Sequence, residues 1–325
     1  MNLTTFLTRL YEELRYTTAP PSAVTTRLTA QINRVHRHIL SLPGIKQLRD
    51  DVIPVTALAN TARTGLPQAV ARIKGITDRA NNHKLTQVPL AALRIDDPAQ
   101  AFTGGYPLRY AVIGNQAVRQ QPTAATALYA VSDAAADTTG AVKIYVETIV
   151  TGGYSTPFIS AGTSLTGTAR VQIGTASNAL YVEKIAISTV ATGNISLYDA
   201  AAAGNELAQI RIGDTVSRYW GVEWFPIPTQ DTTEYADITR RVFDLAIGTD
   251  EPLLPLDFHD MIIDGVLIRE YRLLDDTRVA QARADFAEAK TALKVYVMDD
   301  EDRIASLRPT TPRWSQLGPM YPAGS

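Results

Sequence analysis

The chain of 325 residues has no cysteine, which excludes disulfides, thiolate metal sites and a cysteine nucleophile. That absence fits a protein made in a reducing cytoplasm. No apolar run approaches the ~18 residues that span a bilayer, so no membrane association is expected. The first residues, Met1-Asn2-Leu3-Thr4, lack the basic-then-apolar layout of a secretion signal. The signatures of phosphate and dinucleotide loops are missing, as is the GxSxG nucleophile turn. No catalytic, cofactor or metal site is therefore expected.

What is present is an ordinary soluble composition, 45 % apolar and 20 % charged, in a chain long enough for two domains or one with a large insertion. The net charge of −2 hides an asymmetry. Residues 1–121 hold 15 Lys and Arg against 7 Asp and Glu, whereas 122–254 hold 7 against 14. Such opposed lobes are either solvated faces or a basic surface that meets an acidic ring or lies near nucleic acid. The basic residues are scattered, so specific DNA binding is not expected.

Leu3, Phe6, Leu7, Leu10 and Leu14 predict a first helix over 3–15, and prolines up to Pro21 break it. Ser22 is read as the cap of a second helix carrying Val24, Leu28, Ile32, Val35 and Ile39, stopped by Leu42-Pro43-Gly44. Val52–Leu58, Ala69–Lys74 and Arg109–Ile113 read as strands, and Pro89–Ile95 as a short helix with proline at its first turn. From 141 to 228 charge thins while Gly, Thr, Ser and Ala rise. Strand-like runs recur at Val142–Val150, Thr168–Gly174, Leu180–Ser188, Asn194–Tyr198, Glu206–Ile212 and Tyr219–Phe225. They point to a β-sandwich, immunoglobulin-like or jelly-roll-like. Glu234–Leu245 reads as a last strand returning the chain to helices.

In Leu254–Met298, Phe258, Met261, Ile262, Gly265, Ile268 and Leu273 recur at helical spacing, with Asp257 read as N-cap and Asp260 as its capping-box partner. After Asp275-Asp276 the pattern restarts at Val279, Ala282, Phe286, Ala289, Leu293 and Tyr296. The acidic run Asp299-Asp300-Glu301-Asp302 is read as the end of this helix, since anions oppose its dipole there. Pro309, Pro312, Pro319 and Pro322 make 304–325 an extended tail.

The run Leu254–Val297, with its Leu-Pro-Leu-Asp-Phe-His-Asp start, resembles the C-terminal helical pair of tailed-bacteriophage head-to-tail adaptor (connector) proteins. Two helices, a small sheet and the Gly105-Tyr106-Pro107 to Gly114 segment resemble that family's N-terminal half. The resemblance implies an α+β fold: a helical adaptor frame in two halves, 1–130 and 230–303, with the sandwich inserted over 140–228. It implies a structural virion protein of the phage neck, made in the host bacterial cytoplasm. Such a protein forms a dodecameric ring that joins the portal to the tail nozzle or tail tube and lets DNA pass without specific contacts. The inserted domain would face outward toward tail fibres. Arg278, Arg283, Lys290, Lys294, Arg303, Arg308, Trp314 and Tyr321 are the residues expected to meet partners. A hexameric tail-terminator or tail-tube protein and a carbohydrate-binding virion module are the alternatives.

Other candidates were weighed against bland roles. His36 and His38, two apart on a helix, point in different directions and read as surface or interface residues. His259 between Asp257 and Asp260 reads as a packing histidine. Glu183, Glu206, Glu223 and Asp199 invite a glycosidase reading but fit the solvent face of strands. Tyr219, Trp220, Trp224 and Phe225 could form a sugar-stacking shelf or a buried core.

Overall fold

A computed structural model describes residues 1–16, 20–138, 142–150, 155–156, 162–173 and 179–307, with only the backbone at Asn115, 155–156 and 298–307. The fold is α+β; the described residues form five α-helices and several mostly antiparallel sheets, none closed. Two compact units divide it: Thr5–Leu48 with the chain from Pro252 onward, and Arg49–Glu251. The small sheet near the N-terminus therefore belongs with the other strands, where the sequence grouped it with the helices.

The first unit holds α1 (Leu3–Glu13, its first two residues apart), α2 (Ser22–Ile39), α4 (Asp260–Leu273) and α5 (Val279–Leu307). Ser22 does not cap α2. It is the first helical residue, and Pro21 precedes it in an extended conformation whose carbonyl accepts from Val24 and Thr25. Nor does Asp257 cap α4. A 3-10 turn over Leu256–Phe258 leads in, and His259 already has helical φ and ψ, so no extended capping residue exists. The break at 275–276 is real: Asp275 has φ 52°, a left-handed turn that aspartate tolerates.

Helix α5 runs through the acidic run to Leu307 instead of stopping there. No proline or glycine interrupts 279–307, and Asp299 stands four residues before Arg303. The part of the expected tail from 308 onward lies outside the described residues.

Helix α4 is buried on more than one face because α2 and α5 both pack against it. Gly265 permits the close approach: a Cβ there would meet Val35 Cγ1 at 2.5 Å and Phe286 Cε2 at 3.1 Å. Alanine would gain about 1 kcal/mol in helix propensity. Overpacking costs about 1–3 kcal/mol, and Val35 is a stiff β-branched neighbour. Gly265→Ala should therefore lower stability by roughly 1 kcal/mol net, as a shift in denaturant midpoint would show.

In the second unit, Asp50–Ala57, Thr232–Arg240, Val70–Asp78 and His83–Lys84 pair in that order as one antiparallel sheet. A second sheet orders Arg63–Gly65, Tyr219–Phe225, Arg109–Gln116 and Thr86–Gln87, the last pair parallel. Both supply one core, with Val55, Leu66, Ile76, Tyr110, Val222, Trp224 and Ala236. The short helix expected here is present as α3 (Leu90–Asp96), against the 109–116 strand, but Pro89 stands just before it in an extended conformation and not in its first turn.

Apart from a two-stranded parallel pair, Thr103–Gly104 with Ile227–Pro228, the remaining strands form two further sheets. Lys143–Val150 pairs with Ala179–Ile187 and with two-residue strands at Ser155–Thr156 and Thr163–Ser164. Tyr129–Ser132 and Ile195–Tyr198 pair at the centre of the other, flanked by Glu206–Ile210 and Val171–Gln172. One core, with Leu128, Ile144, Val146, Leu165, Val182, Ile185 and Leu197, draws on both.

Three strand expectations need correction. Tyr219–Phe225 does not belong with the 143–210 strands; it pairs with 109–116 and 63–65, whose apolar inner faces it completes. The run expected over Thr168–Gly174 forms a strand only at Val171–Gln172, with an isolated bridge from Ala169 to Thr166, and Gly174 lies outside the described residues. The last strand is Thr232–Arg240, not 234–245, because its partner Asp50–Ala57 begins opposite Thr239.

Candidate partner-binding surface

The residues expected to meet partners begin at the start of α5. Arg278 is not available as a loose cation: Asp276 grips its Nε and Nη2 at 3.0 and 2.7 Å, and its guanidinium covers the Tyr271 ring at 4.4 Å. Arg283, Lys290 and Lys294 are spaced seven and four apart, one stripe of the helix. None has an ion-pair partner among the described residues. Arg303 lies on the backbone of α5, and nothing of its side chain is described; Arg308, Trp314 and Tyr321 lie outside the described residues.

Beside that stripe, α5 shows an apolar face. Val295 is 53 % and Tyr296 46 % exposed, while Leu293 and Val297 turn inward. Phe258, Glu288, Thr291, Ala292, Val295 and Tyr296 line a shallow, mainly apolar depression of about 560 Å³, and the rings of Phe258 and Tyr296 meet at 5.4 Å. In the sequence Phe258 reads only as a residue of the apolar helical pattern, and the depression is not anticipated, although i, i+3, i+4 spacing at 288, 291, 292 and 295 marks the face.

On another side of the unit, α1, α4 and α5 border a groove of about 470 Å³. Its walls carry Glu12, Glu13, Asp260, Asp264 and Asp285, against Arg9 and Arg278. Arg9 pairs with Asp260, and Arg278 is held by Asp276. Asp264 has no hydrogen-bond partner among the described residues. Burial first, then the charges of Asp285, Asp260 and Glu13, raises its pKa to about 6. The groove repels anions and would accept a cationic group.

No protein-family model matches the chain, and no curated protein matches it. The physical reading of its residues therefore stands by itself. Among the described residues no group of three or more His, Cys, Asp or Glu side chains could hold a metal ion, and no helix is long and apolar enough to cross a membrane.

The other sequence candidates sort cleanly. His36, expected at the surface, is 2 % exposed; its Nε2 accepts from Leu253 N–H at 3.1 Å. Burial, then His259 and Arg37, lowers its pKa to about 4, so it is neutral and structural. His38 is exposed. His259 is buried, with Nε2 donating to the Leu254 carbonyl at 3.0 Å and its ring 5.8 Å from that of Phe6, a packing histidine as expected.

Glu183 and Glu206 face solvent. Asp199 closes a turn by accepting from the Asn205 backbone at 2.6 Å. Glu223, expected on a solvent face, is buried instead, and its Oε2 accepts from Arg63 at 2.8 Å and Arg94 at 3.0 Å. The strand that carries it is covered on both faces, so alternation gives no guide there. The aromatic shelf does not exist as a unit: Tyr219 and Trp224 are buried, and Phe225 stacks on Phe102 at 5.4 Å.

Sequence reasoning missed Glu234 altogether. It is fully buried in the 232–240 strand, where it pairs with Val55 and feels the nearby Asp78, and among the described residues neither of its carboxylate oxygens has a hydrogen-bond partner. Burial, then the Asp78 carboxylate, raises its pKa to about 7, against a small opposing pull from Thr232.

Proposed function

We propose that the chain is an assembly protein of the tailed-phage neck, a head-to-tail adaptor that forms a ring between portal and tail around passing DNA. Its role is mechanical, not catalytic. The observation that carries this reading is the outer half of α5, where an apolar depression and a stripe of unpaired cations share one long helix. A monomer gains nothing by exposing Val295 and Tyr296 together; a subunit interface buries them. The acidic groove supplies a complementary surface for cations of a neighbouring copy or of the portal.

Within this reading the strands of 129–210 form a two-sheet β-sandwich directed outward, toward tail fibres or the nozzle. The 219–225 strand belongs to the sheet with 63–65 and 109–116 and not to the sandwich. The protein is then a virion component, made in the host cytoplasm.

Native mass measurement of the purified protein, alone and mixed with portal, tests the proposal. A twelve-subunit ring, free or formed on portal, is the expected result. Six subunits would favour a tail terminator, and a monomer indifferent to portal would sink the adaptor reading. Val295→Asp combined with Tyr296→Asp should abolish the ring while lowering the thermal midpoint by only a few degrees, because both side chains are already half in water and the main loss is the contact of Tyr296 with Phe258.

A further inference from the structure

We infer that the second unit carries a binding groove for a carboxylated sugar, centred on Trp220 and Arg72. The inference stands apart from ring formation and does not depend on it. Of the four aromatic side chains at 219, 220, 224 and 225, Trp220 lines an open groove, whereas Trp224 and Phe225 border only a small crevice. That groove measures about 500 Å³ and is lined by Arg72, Ile73, Lys74, Gln87, Val112 and Trp220. Its size lies inside the range of about 300–1,000 Å³ usual for small-ligand sites.

The groove forms where the two sheets of the core part. Arg72 and Lys74 come from the 70–78 strand, Gln87 and Val112 from the neighbouring sheet. A bulge aims the indole: Tyr219 pairs with Gln116 and Gly221 with Ile113, so Trp220 faces one residue too many on the partner strand. Gly114 is there to receive it. A Cβ at Gly114 would stand 3.1 Å from Trp220 Cζ3, so the six-membered ring rests over glycine backbone. Such support holds an indole in place while part of it remains open to the groove, since Trp220 is only partly buried.

The chemistry of the lining selects the ligand. An indole offers a flat apolar surface to the C–H face of a sugar ring. Arg72 is exposed and has no ion-pair partner among the described residues, and its guanidinium suits a carboxylate held through two hydrogen bonds. Gln87 adds an amide that can donate to or accept from hydroxyls. Lys74 is already ion-paired with Asp50, so the groove has one uncommitted cation beside one ring. One ring and one cation match one acidic sugar residue. A single-stranded nucleic acid would want successive stacking platforms along a basic track.

Calorimetric titration of the full chain with trigalacturonate, maltotriose and a short oligothymidylate tests the assignment. Trigalacturonate should bind saturably and at least about ten-fold more tightly than maltotriose, with affinity falling as salt is raised. Arg72→Ala, an exposed substitution that leaves the fold alone, should weaken binding by about ten-fold or more; Trp220→Phe should retain most of it and Trp220→Ala little. No heat of binding with trigalacturonate, or unchanged affinity in Arg72→Ala, overturns the proposal. Tighter binding of the oligothymidylate replaces it with a nucleic-acid site.

Discussion

Replacing Arg63 and Arg94 together by alanine should lower the unfolding free energy by about 3–5 kcal/mol, while each single replacement costs far less. Both guanidiniums donate to the same oxygen of Glu223, a carboxylate whose side chain is only 4 % exposed. Arg63 and Arg94 reach it from partly exposed positions, 42 % and 31 %, on a strand and on α3. Either arginine alone still neutralises the charge. Losing both strands an anion away from water, which is the costly case, whereas losing the anion leaves two cations that can turn outward. The loss in the double variant should exceed the sum of the singles, and a double-mutant cycle by urea denaturation measures the excess. Adding Glu223→Gln to the double variant should recover much of the stability. Simple additivity of the two singles would show that water reaches Glu223 after all.

Glu234→Gln should stabilise the protein by roughly 3 kcal/mol at about pH 8 and change little at about pH 4. The direction follows from protons. The folded chain keeps Glu234 protonated up to about pH 7, against an ordinary value of 4.5, so between those values it binds a proton that the unfolded chain releases. Stability drawn from this group is therefore present at low pH and is lost as pH rises through 7. Above that, folding must bury an anion beside Asp78, which already accepts from the Asn81 backbone and amide at 3.0 and 2.6 Å. A glutamine has no charge to bury. Thermal midpoints of both proteins across this pH range would converge at the acid end and separate at the alkaline end. Parallel curves would mean that Glu234 is ionised, or hydrated, throughout.

The helices were legible because their signal is local. Leu28, Ile32, Val35 and Ile39 fix one face of α2, and Asp275-Asp276 sits where the period of α4 ends. Helix ends were less so, because Pro21 and Pro255 shape the approach to α2 and α4 in place of the side-chain caps expected at Ser22 and Asp257. Strands such as Ala179–Ile187 announce themselves by alternation, but alternation names a face and not a partner. Nothing in the string Tyr219–Phe225 says that it pairs with Arg109–Gln116, more than a hundred residues earlier. Glu234 was hidden for a related reason. The buried positions of its strand are Glu234, Ala236 and Ile238, and a polar residue on the inner face breaks the apolar pattern that reveals such a face. On the candidate surface, the charge of Arg278 was visible in the sequence, whereas its capture by Asp276 depends on a turn only the folded chain has.

The pairing of Gln116 with Tyr219 has a mechanical meaning. Within the second unit, the chain passes into the 117–218 segment and back out of it through two neighbouring antiparallel strands, side by side. A pull on that segment draws both strands the same way, so no relative slip arises between them. The load passes sideways, as shear, into Arg63–Gly65 on one flank and Thr86–Gln87 on the other. Such an anchorage resists being unzipped one hydrogen bond at a time. It also makes the segment exchangeable: any chain whose ends meet at the spacing of two adjacent strands could hang from the same two pegs.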